Sequence, residues 1–534
     1  MKKISLIFTL LMLFVFQINI GQEKSKIEIK KSPFFDKDKE KFPDASILTR
    51  DNNEQVLISH DGIIMTCNQA YFYEEKNFIE AYGEVNLNQG DSLNLTANYI
   101  EYNGDLKLAY AKGSVILNEP QSILYTDSLI FDRNKQEAFY DNYGKLIRAQ
   151  TDTINSKIGT YYVNEKKYRF ENEVDLKTPK YLILSEILDF FTENGKSFFY
   201  GPTNITTNNS KIYCEIGYYD TTNDLGYFIK NSKIDFKEYV INADSIYFDK
   251  NKNFASAVNN INILDTINKS ITSGHYAEIY RNIDSMFIQK RALISSFKET
   301  DTTYIHGEKI IVTGKEGEKI IRAFDNGTIL RGNISGKCDS IHFNESTGMA
   351  ELINYNNSES KSRKIKKPIL WNNNSQITGD LIKIKFDIQK NTIDSLFVLE
   401  NAFIIEKDTF EVGYNQISGK NLYGNFIEGK LKEIDIIKNA ESIYFLRNSD
   451  NELIGIDKSK SAKIRILINN QLINSFVKIN QIDGTTFPEE DFVEQNKLLK
   501  GFFYREEEII KSVEDLFKDD RKFTLASIKQ LENK

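Results

Sequence analysis

The segment Leu93-Asn-Leu-Thr-Ala-Asn-Tyr-Ile-Glu-Tyr-Asn103, followed by Leu106-Lys-Leu-Ala-Tyr-Ala-Lys-Gly-Ser-Val-Ile-Leu117 and Thr126-Asp-Ser-Leu-Ile-Phe-Asp132, decides how the rest of the chain is read. Apolar and polar residues alternate with period two, turn residues break the runs, and the third run restarts the first, which is the pattern of short strands in a repeat. The same unit opens at Cys67-Asn68, Ala97-Asn98, Thr126-Asp127, Cys214-Glu215, Ala243-Asp244, Cys338-Asp339 and Gly379-Asp380. Weaker copies start at Ile154, Ser185, Gly274, Gly307 and Gly419. The spacing, roughly thirty residues and nearer forty for the last two, is that of a solenoid-like array.

Within a unit, parity assigns faces: Asp127, Leu129 and Phe131 share one side, and Ser128 and Ile130 the other. Ile246 and Phe248 likewise oppose Ser245 and Tyr247. The second half of each unit begins with Gly or Asn, as at Gly83, Gly113, Asn260 and Asn401, and continues with alternating Val, Ile or Leu. Two strand segments per unit, each with one apolar side, predict two facing sheets, to which each unit adds one layer at ~5 Å. The expected fold is all-β.

The chain has 534 residues, which a repeat array accommodates without several separate cores, and a formal net charge of −7 with mixed signs. No basic face points to nucleic acid. Residues 1–21 read as a signal peptide, with Lys2-Lys3 ahead of a short greasy run, an uncleaved anchor being the rival. Residues 22–44 read as a flexible tether and 45–355 as β repeats. The stretch 356–367 is a basic loop or a boundary, 368–480 holds further repeats, and 481–534 is a cap or tail with one or two short helices.

Little here suggests chemistry. His60, His275, His306 and His342 fall in different units without ligand spacing, so no metal is expected. Asp127, Asp244, Asp339 and Asp380 would form a carboxylate ladder if units stack in register, but a feature present in every unit fits turn capping better than catalysis. Cys67, Cys214 and Cys338 take the slot that Ala97, Ala243 or Gly379 fills elsewhere, which fits a small space-filling role. No nucleophile elbow, phosphate loop or zinc motif occurs. The apolar inner face is either a packed core or a groove that accepts lipid chains; periodicity does not separate the two.

The run from Gly83-Glu-Val-Asn-Leu through Ala97-Asn-Tyr-Ile-Glu-Tyr-Asn and Ala109-Tyr-Ala-Lys-Gly113 to Thr126-Asp-Ser-Leu-Ile-Phe-Asp resembles the OstA-like (organic solvent tolerance) domain. Pro368-Ile-Leu-Trp371, Gln376-Ile-Thr-Gly-Asp380 and Gly501-Phe-Phe-Tyr-Arg-Glu-Glu-Glu are similar to the long OstA-like proteins of Bacteroidetes-type bacteria. The resemblance is strongest over 56–147. It implies an elongated, V-shaped two-sheet β-jellyroll that shelters lipopolysaccharide acyl chains in the periplasm, free or associated with the outer membrane. Implied partners are lipopolysaccharide, the inner- and outer-membrane transport proteins of like fold, and other copies of the chain, head to tail. No enzyme activity and no cofactor are implied. The inward residues expected to meet lipid are Ile100, Tyr102, Leu129, Phe131, Ile246 and Phe248, with Val115 and Leu117 on the opposing sheet. The alternatives are an exported β-solenoid that binds or cleaves polysaccharide, requiring a cleft of carboxylates and aromatics, and a structural or adhesive repeat with a filled interior.

Overall fold

The computed structural model describes residues 25–528 apart from 221, 298–300, 355–366, 373–374, 391, 409, 411–412, 470–471 and 494–496. The expected signal segment lies outside these residues. Among them the fold is antiparallel β, with 36 strands and helical structure only as 3-10 turns. Two compact units follow one another in sequence, Met1–Ile205 and Thr206–Lys534.

In the first unit the typical strand is longer than the sequence suggests and is bent. Phe78–Gln89, Leu93–Asn103, Leu108–Asn118 and Ser122–Asp132 each span 11 or 12 residues. Phe78 to Tyr82 pair with Asn103 to Tyr99, the register then shifts, and Val85 to Gln89 pair with Ala97 to Leu93. The shift is a bulge that turns the strand through a corner, so each strand serves two sheets. We call the sheet containing 78–82 the first arm and that containing 85–89 the second. A thirty-residue unit is therefore a hairpin that adds two rungs to each arm, roughly 10 Å at ~4.8 Å per strand, not the single layer expected from sequence.

The corner is written in backbone conformation. On alternate strands two successive residues are left-handed: Gly83 and Glu84 (φ 73° and 49°), Gly113 and Ser114 (81° and 50°), Asn172 and Glu173 (62° and 54°). The second unit repeats this at Asn259 and Asn260, Asp325 and Asn326, and Glu400 and Asn401. Gly and Asn tolerate this region best, which is why they open the second half of each unit.

The Asx and Glu residues that open the units sit at the same corners, on the neighbouring strands. In three of them the side chain does not cap the turn entering the strand, as the sequence suggested, but bonds across the corner. Asn260 Nδ2 donates to Asp244 at 3.0 Å, Asn401 Nδ2 to Asp380 at 2.7 Å, and Asn231 Nδ2 to Glu215 at 2.6 Å.

The N-terminal stretch corrects the tether expectation. Glu28–Lys31 pairs with Val56–His60, and Phe34–Asp36 pairs with Ser46–Thr49. Ile27 is buried, and its amide donates to Asn77 Oδ1 at 2.8 Å. Of the lysines that made this stretch look unstructured, Lys30 and Lys31 lie on an edge strand, where charge is at home.

The second unit uses the same bent strands, including Tyr239–Asp249, Phe254–Asp265 and Ser270–Tyr280. Taken by itself this unit also has two arms, a first holding Ile246 and Ile288 and a second holding Ile263 and Ile294, and its core draws on both. Residues 355–366 lie outside the described set. Ile334–Asn344 pairs with both Met349–Ile353 and Ile369–Asn372, so strand pairing proceeds on either side of them.

The C-terminal segment of this unit is a strap rather than a helical tail. Its only helical pieces among the described residues are 3-10 turns of three or four residues. It runs against the outer face of the second arm, crossing strands in reverse order. Three buried carboxamide side chains bind its backbone in two-pronged fashion. Gln416 Nε2 donates to Lys497 O while its Oε1 accepts from Leu499 N, both at 2.8 Å. Gln376 does the same with Phe503 O and Arg505 N, both at 2.7 Å. Asn259 bonds the carbonyl and amide of Ala526 at 2.9 and 3.2 Å. Ile510 and Leu516 pack on Leu293 and Leu330, whose neighbours Ile294 and Ile329 belong to the inner core. A strand with both faces covered loses its alternation, as the run Phe403-Ile404-Ile405 shows.

Candidate functional site

Pairing in the first unit lines up side chains across strands into two facing rows. On the second arm, Leu87, Leu95, Leu117, Leu124, Leu146 and Ile154 stand opposite one another in turn. Ile58 and Met65 extend the row on one side, Leu176 and Ile183 on the other. Nine interstrand steps of ~4.8 Å make this aliphatic row about 43 Å long. None of its ten residues is more than 2% exposed.

The first arm answers with rings and small residues. Tyr102 faces Ala109, Ala109 faces Phe131, Phe131 faces Ala138 and Ala138 faces Tyr161. Tyr168 and Phe190 complete the row. Alternating large and small side chains let the rings lie over their alanine neighbours without collision. Tyr161 and Tyr168 stack with centroids 4.3 Å apart, and Tyr168 and Phe170 are nearly parallel at 5.4 Å.

Against this geometry, parity places the apolar residues correctly but not Asp127, which was grouped with Leu129 and Phe131 and is exposed because the register shift between Thr126 and Ser128 falls on it, nor Ser245, which was set opposite Ile246 and is also buried. Ile100, Tyr102, Leu129 and Phe131 are inward on the first arm, Val115 and Leu117 are inward on the second, and all six are buried. Ser128 and Ile130 point outward, Ile130 being 39% exposed. Ile246 is buried and Phe248 half-buried, but they belong to the second unit and are not part of these rows. Sequence reasoning missed Leu95, Leu124, Leu146 and Leu176, which carry the aliphatic row. The signal was present for Leu95, two residues from Leu93, and for Leu176, two residues from Val174, but Leu124 and Leu146 have only Ser122, Thr126, Gly144 and Arg148 at those positions, and only register puts the four in line.

The inner face is dry because the hairpin ends of the two arms meet on the side opposite the corners. Arg133, in a first-arm turn, reaches over to the second arm. Its Nε donates to Gln89 Oε1 at 3.2 Å and its Nη2 to Asp61 O at 2.7 Å, while Nη1 donates to Tyr102 OH at 3.1 Å. Gln89 Nε2 also donates to Gln136 Oε1 at 2.8 Å, and Lys107 pairs with Asp61. Further along, the Tyr161 hydroxyl donates to the Glu119 carboxylate. Burial raises the pKa of Glu119 above the usual carboxylate range despite its bonds from Ser122 and Tyr161. Arg148, on the second arm, closes the series by donating from Nε to Thr192 O of the first arm at 2.7 Å, with its guanidinium 5.6 Å from the Phe190 ring.

The residues weighed for chemistry do not assemble into a centre. Among the described residues no group of three or more His, Cys, Asp or Glu is placed to hold a metal ion. His60 Nε2 donates to Ser25 O at 3.0 Å, which leaves Nδ1 to accept from the Tyr102 hydroxyl at 2.7 Å. His306 is buried beneath the strap, with Nδ1 2.7 Å from Ala292 O and Nε2 2.9 Å from Asp520. Cys67, Cys214 and Cys338 are buried and unpaired with one another, and burial pushes the thiols of Cys67 and Cys214 up to about 12. A thiol so shifted is a filler, not a nucleophile.

Residues 24–186, which hold both rows almost entirely, match the family model described as OstA-like protein. This part of the chain is OstA-like. Solved structures that match the chain include the crystal structure of LptH, the LptA homologous periplasmic component of the conserved lipopolysaccharide transport device from Pseudomonas aeruginosa. That match has 12% identity and a TM-score of 0.23, and covers 25% of this chain and 93% of that one. A comparison with curated proteins finds no match. The OstA-like segment thus contains the whole aliphatic row, the ring row as far as Tyr168, and the cross-arm bonds other than that to Thr192.

Proposed function

We propose that the protein is a periplasmic, non-enzymatic carrier that shields lipopolysaccharide acyl chains on their way to the outer membrane, using the interior between its arms. The observation that supports this most is the unbroken aliphatic row of the OstA-like unit, faced by rings and alanines. Burying one methylene contributes ~0.8 kcal/mol, so a twelve-carbon chain left in water would cost about 10 kcal/mol. A row of near-identical Leu and Ile side chains offers such a chain many equivalent positions and no deep trap. Because the row is buried in its own packing, a chain enters by parting the arms, with the side chains of the two rows moving onto the lipid. Partners of like fold would join at the free edges of Glu28–Lys31 and Phe34–Asp36, where each strand has a ladder on one side only in the pairings above.

Photocrosslinking tests the reading. A benzoylphenylalanine probe at Phe131 or Leu124 in the full chain, expressed in a lipopolysaccharide-producing cell, should give a lipopolysaccharide adduct. A probe at the outward Ile130 should not. Equal adducts at 130 and 131, or none at 124 and 131, would remove the carrier function.

A further inference from the structure

Every bond that closes the first unit on the side opposite its corners is polar, and two of the closing groups are guanidinium ions on opposite arms. Arg133 has only uncharged acceptors among its bonds given above, a carboxamide oxygen, a phenol and a backbone carbonyl. The nearby Asp61 carboxylate is paired with Lys107, which together with Arg133 lowers its pKa. Arg148 is held by a carbonyl at 2.7 Å and a ring face, with the Asp152 carboxylate more distant at 3.4 Å. A guanidinium kept on neutral acceptors, as Arg133 is, retains most of its attraction for an anion, and a phosphate or carboxylate forms two-pronged, charge-assisted bonds about twice as strong as neutral ones; Arg148 has in Asp152 a single carboxylate contact with which such a group would compete. The same exchange would free Asp61 O, Thr192 O and one of the two bonds on Gln89, leaving Gln89–Gln136, Lys107–Asp61 and Tyr161–Glu119 as the remaining bonds between the arms.

We propose that this side of the first unit is a gate, and that Arg133 and Arg148 open it by exchanging their cross-arm bonds for the anionic head of an amphiphile whose chains then enter between the rows. The proposal rests on the carrier reading and adds to it the two side chains that select an amphiphile whose head bears phosphate or carboxylate. Glu119 and Tyr161 lie between the arginines, joined by the hydrogen bond from the phenol to the carboxylate. A neutral-headed lipid has nothing to offer either guanidinium and meets a closed seam.

The test uses the full chain and two fluorescent probes with the same twelve-carbon chain, one ending in a phosphate monoester and one in an uncharged glucoside. The phosphate probe should bind at least tenfold more tightly than the glucoside. In the double variant Arg133→Gln, Arg148→Gln that preference should fall below threefold with glucoside binding changed less than twofold. The double variant Arg133→Lys, Arg148→Lys, which keeps the charge, should retain at least half of the preference on a logarithmic scale. Inorganic phosphate at 10 mM should leave the phosphate probe bound, because the chain as well as the head is recognised; full displacement would make a free anion the ligand and overturn the proposal. An undiminished preference in the glutamine variant would overturn it too while leaving the carrier reading standing. Failure of both probes to bind would remove both.

Discussion

Replacing Gln376 by alanine should loosen the strap far more than the loss of one side chain suggests. Gln376 is 1% exposed and satisfies both the carbonyl of Phe503 and the amide of Arg505. A buried hydrogen bond contributes about 1 kcal/mol net, and a buried polar group left without a partner costs about 1–3 kcal/mol. Two bonds lost, with water reaching the exposed backbone groups in part, put the effect on docking at about 2–3 kcal/mol. At about 1.4 kcal/mol per tenfold, the strap should then be released roughly 30- to 150-fold more often. Hydrogen exchange resolved to residues 497–510 is the appropriate assay, because release exposes those amides without unfolding the strands beneath. Gln376→Glu separates the two bonds, since it keeps the acceptor for Arg505 but places an oxygen against the Phe503 carbonyl, and its effect should be at least as large. Unchanged exchange at Arg505 and its neighbours in Gln376→Ala would show that the strap is held by its apolar residues alone and that the carboxamide clamps are incidental.

Other outcomes follow from the same coordinates. A β-carbon at Gly159 would stand 2.5 Å from the Tyr140 ring, whose hydroxyl bonds Ser156 at 2.7 Å, so Gly159→Ala should cost about 1–3 kcal/mol and lower the melting temperature. Leu129→Asp should destabilise the first unit and abolish lipid crosslinking from position 131, whereas Ser128→Asp should do neither. Glu119 has a raised pKa in the folded state, so the folded protein holds more protons than the unfolded one between the ordinary carboxylate value and the raised one, and stability falls as pH rises through that window. Glu119→Gln should therefore be stabilising at neutral pH, by an amount that vanishes below the ordinary carboxylate range, as denaturant melts at a series of pH values would show. Thiol reagents should leave Cys67, Cys214 and Cys338 unmodified until the chain unfolds.

The parts of the fold that were legible in the sequence are those fixed by period two. Leu129 and Phe131 against Ser128 and Ile130 needed only alternation, because one face of the strand is buried and the other is wet. The corners were half legible: Gly83, Gly113, Asn260 and Asn401 stood out as punctuation, but Lys290-Arg291, which adopts the same left-handed pair, carries no such mark. There the neighbouring strands impose the bend. The edge strand at 28–31 was hidden by its lysines, and the strap by having no period at all, since its partners are single side chains up to 267 residues away in sequence. The aliphatic row was hidden for a different reason. Parity tells which way Leu95 and Leu124 point, but their alignment is a property of register, set by bulges that a linear reading does not count.

Because every bent strand contributes a rung to both arms, the two arms cannot grow independently. Deleting a single strand would reverse the direction of everything after it and exchange the ends at which its turns emerge, whereas excising a whole hairpin would leave direction, parity and corners intact. Evolution of this architecture is therefore confined to even steps, and its length is a quantity that can change by about thirty residues at a time with no redesign of what flanks the cut.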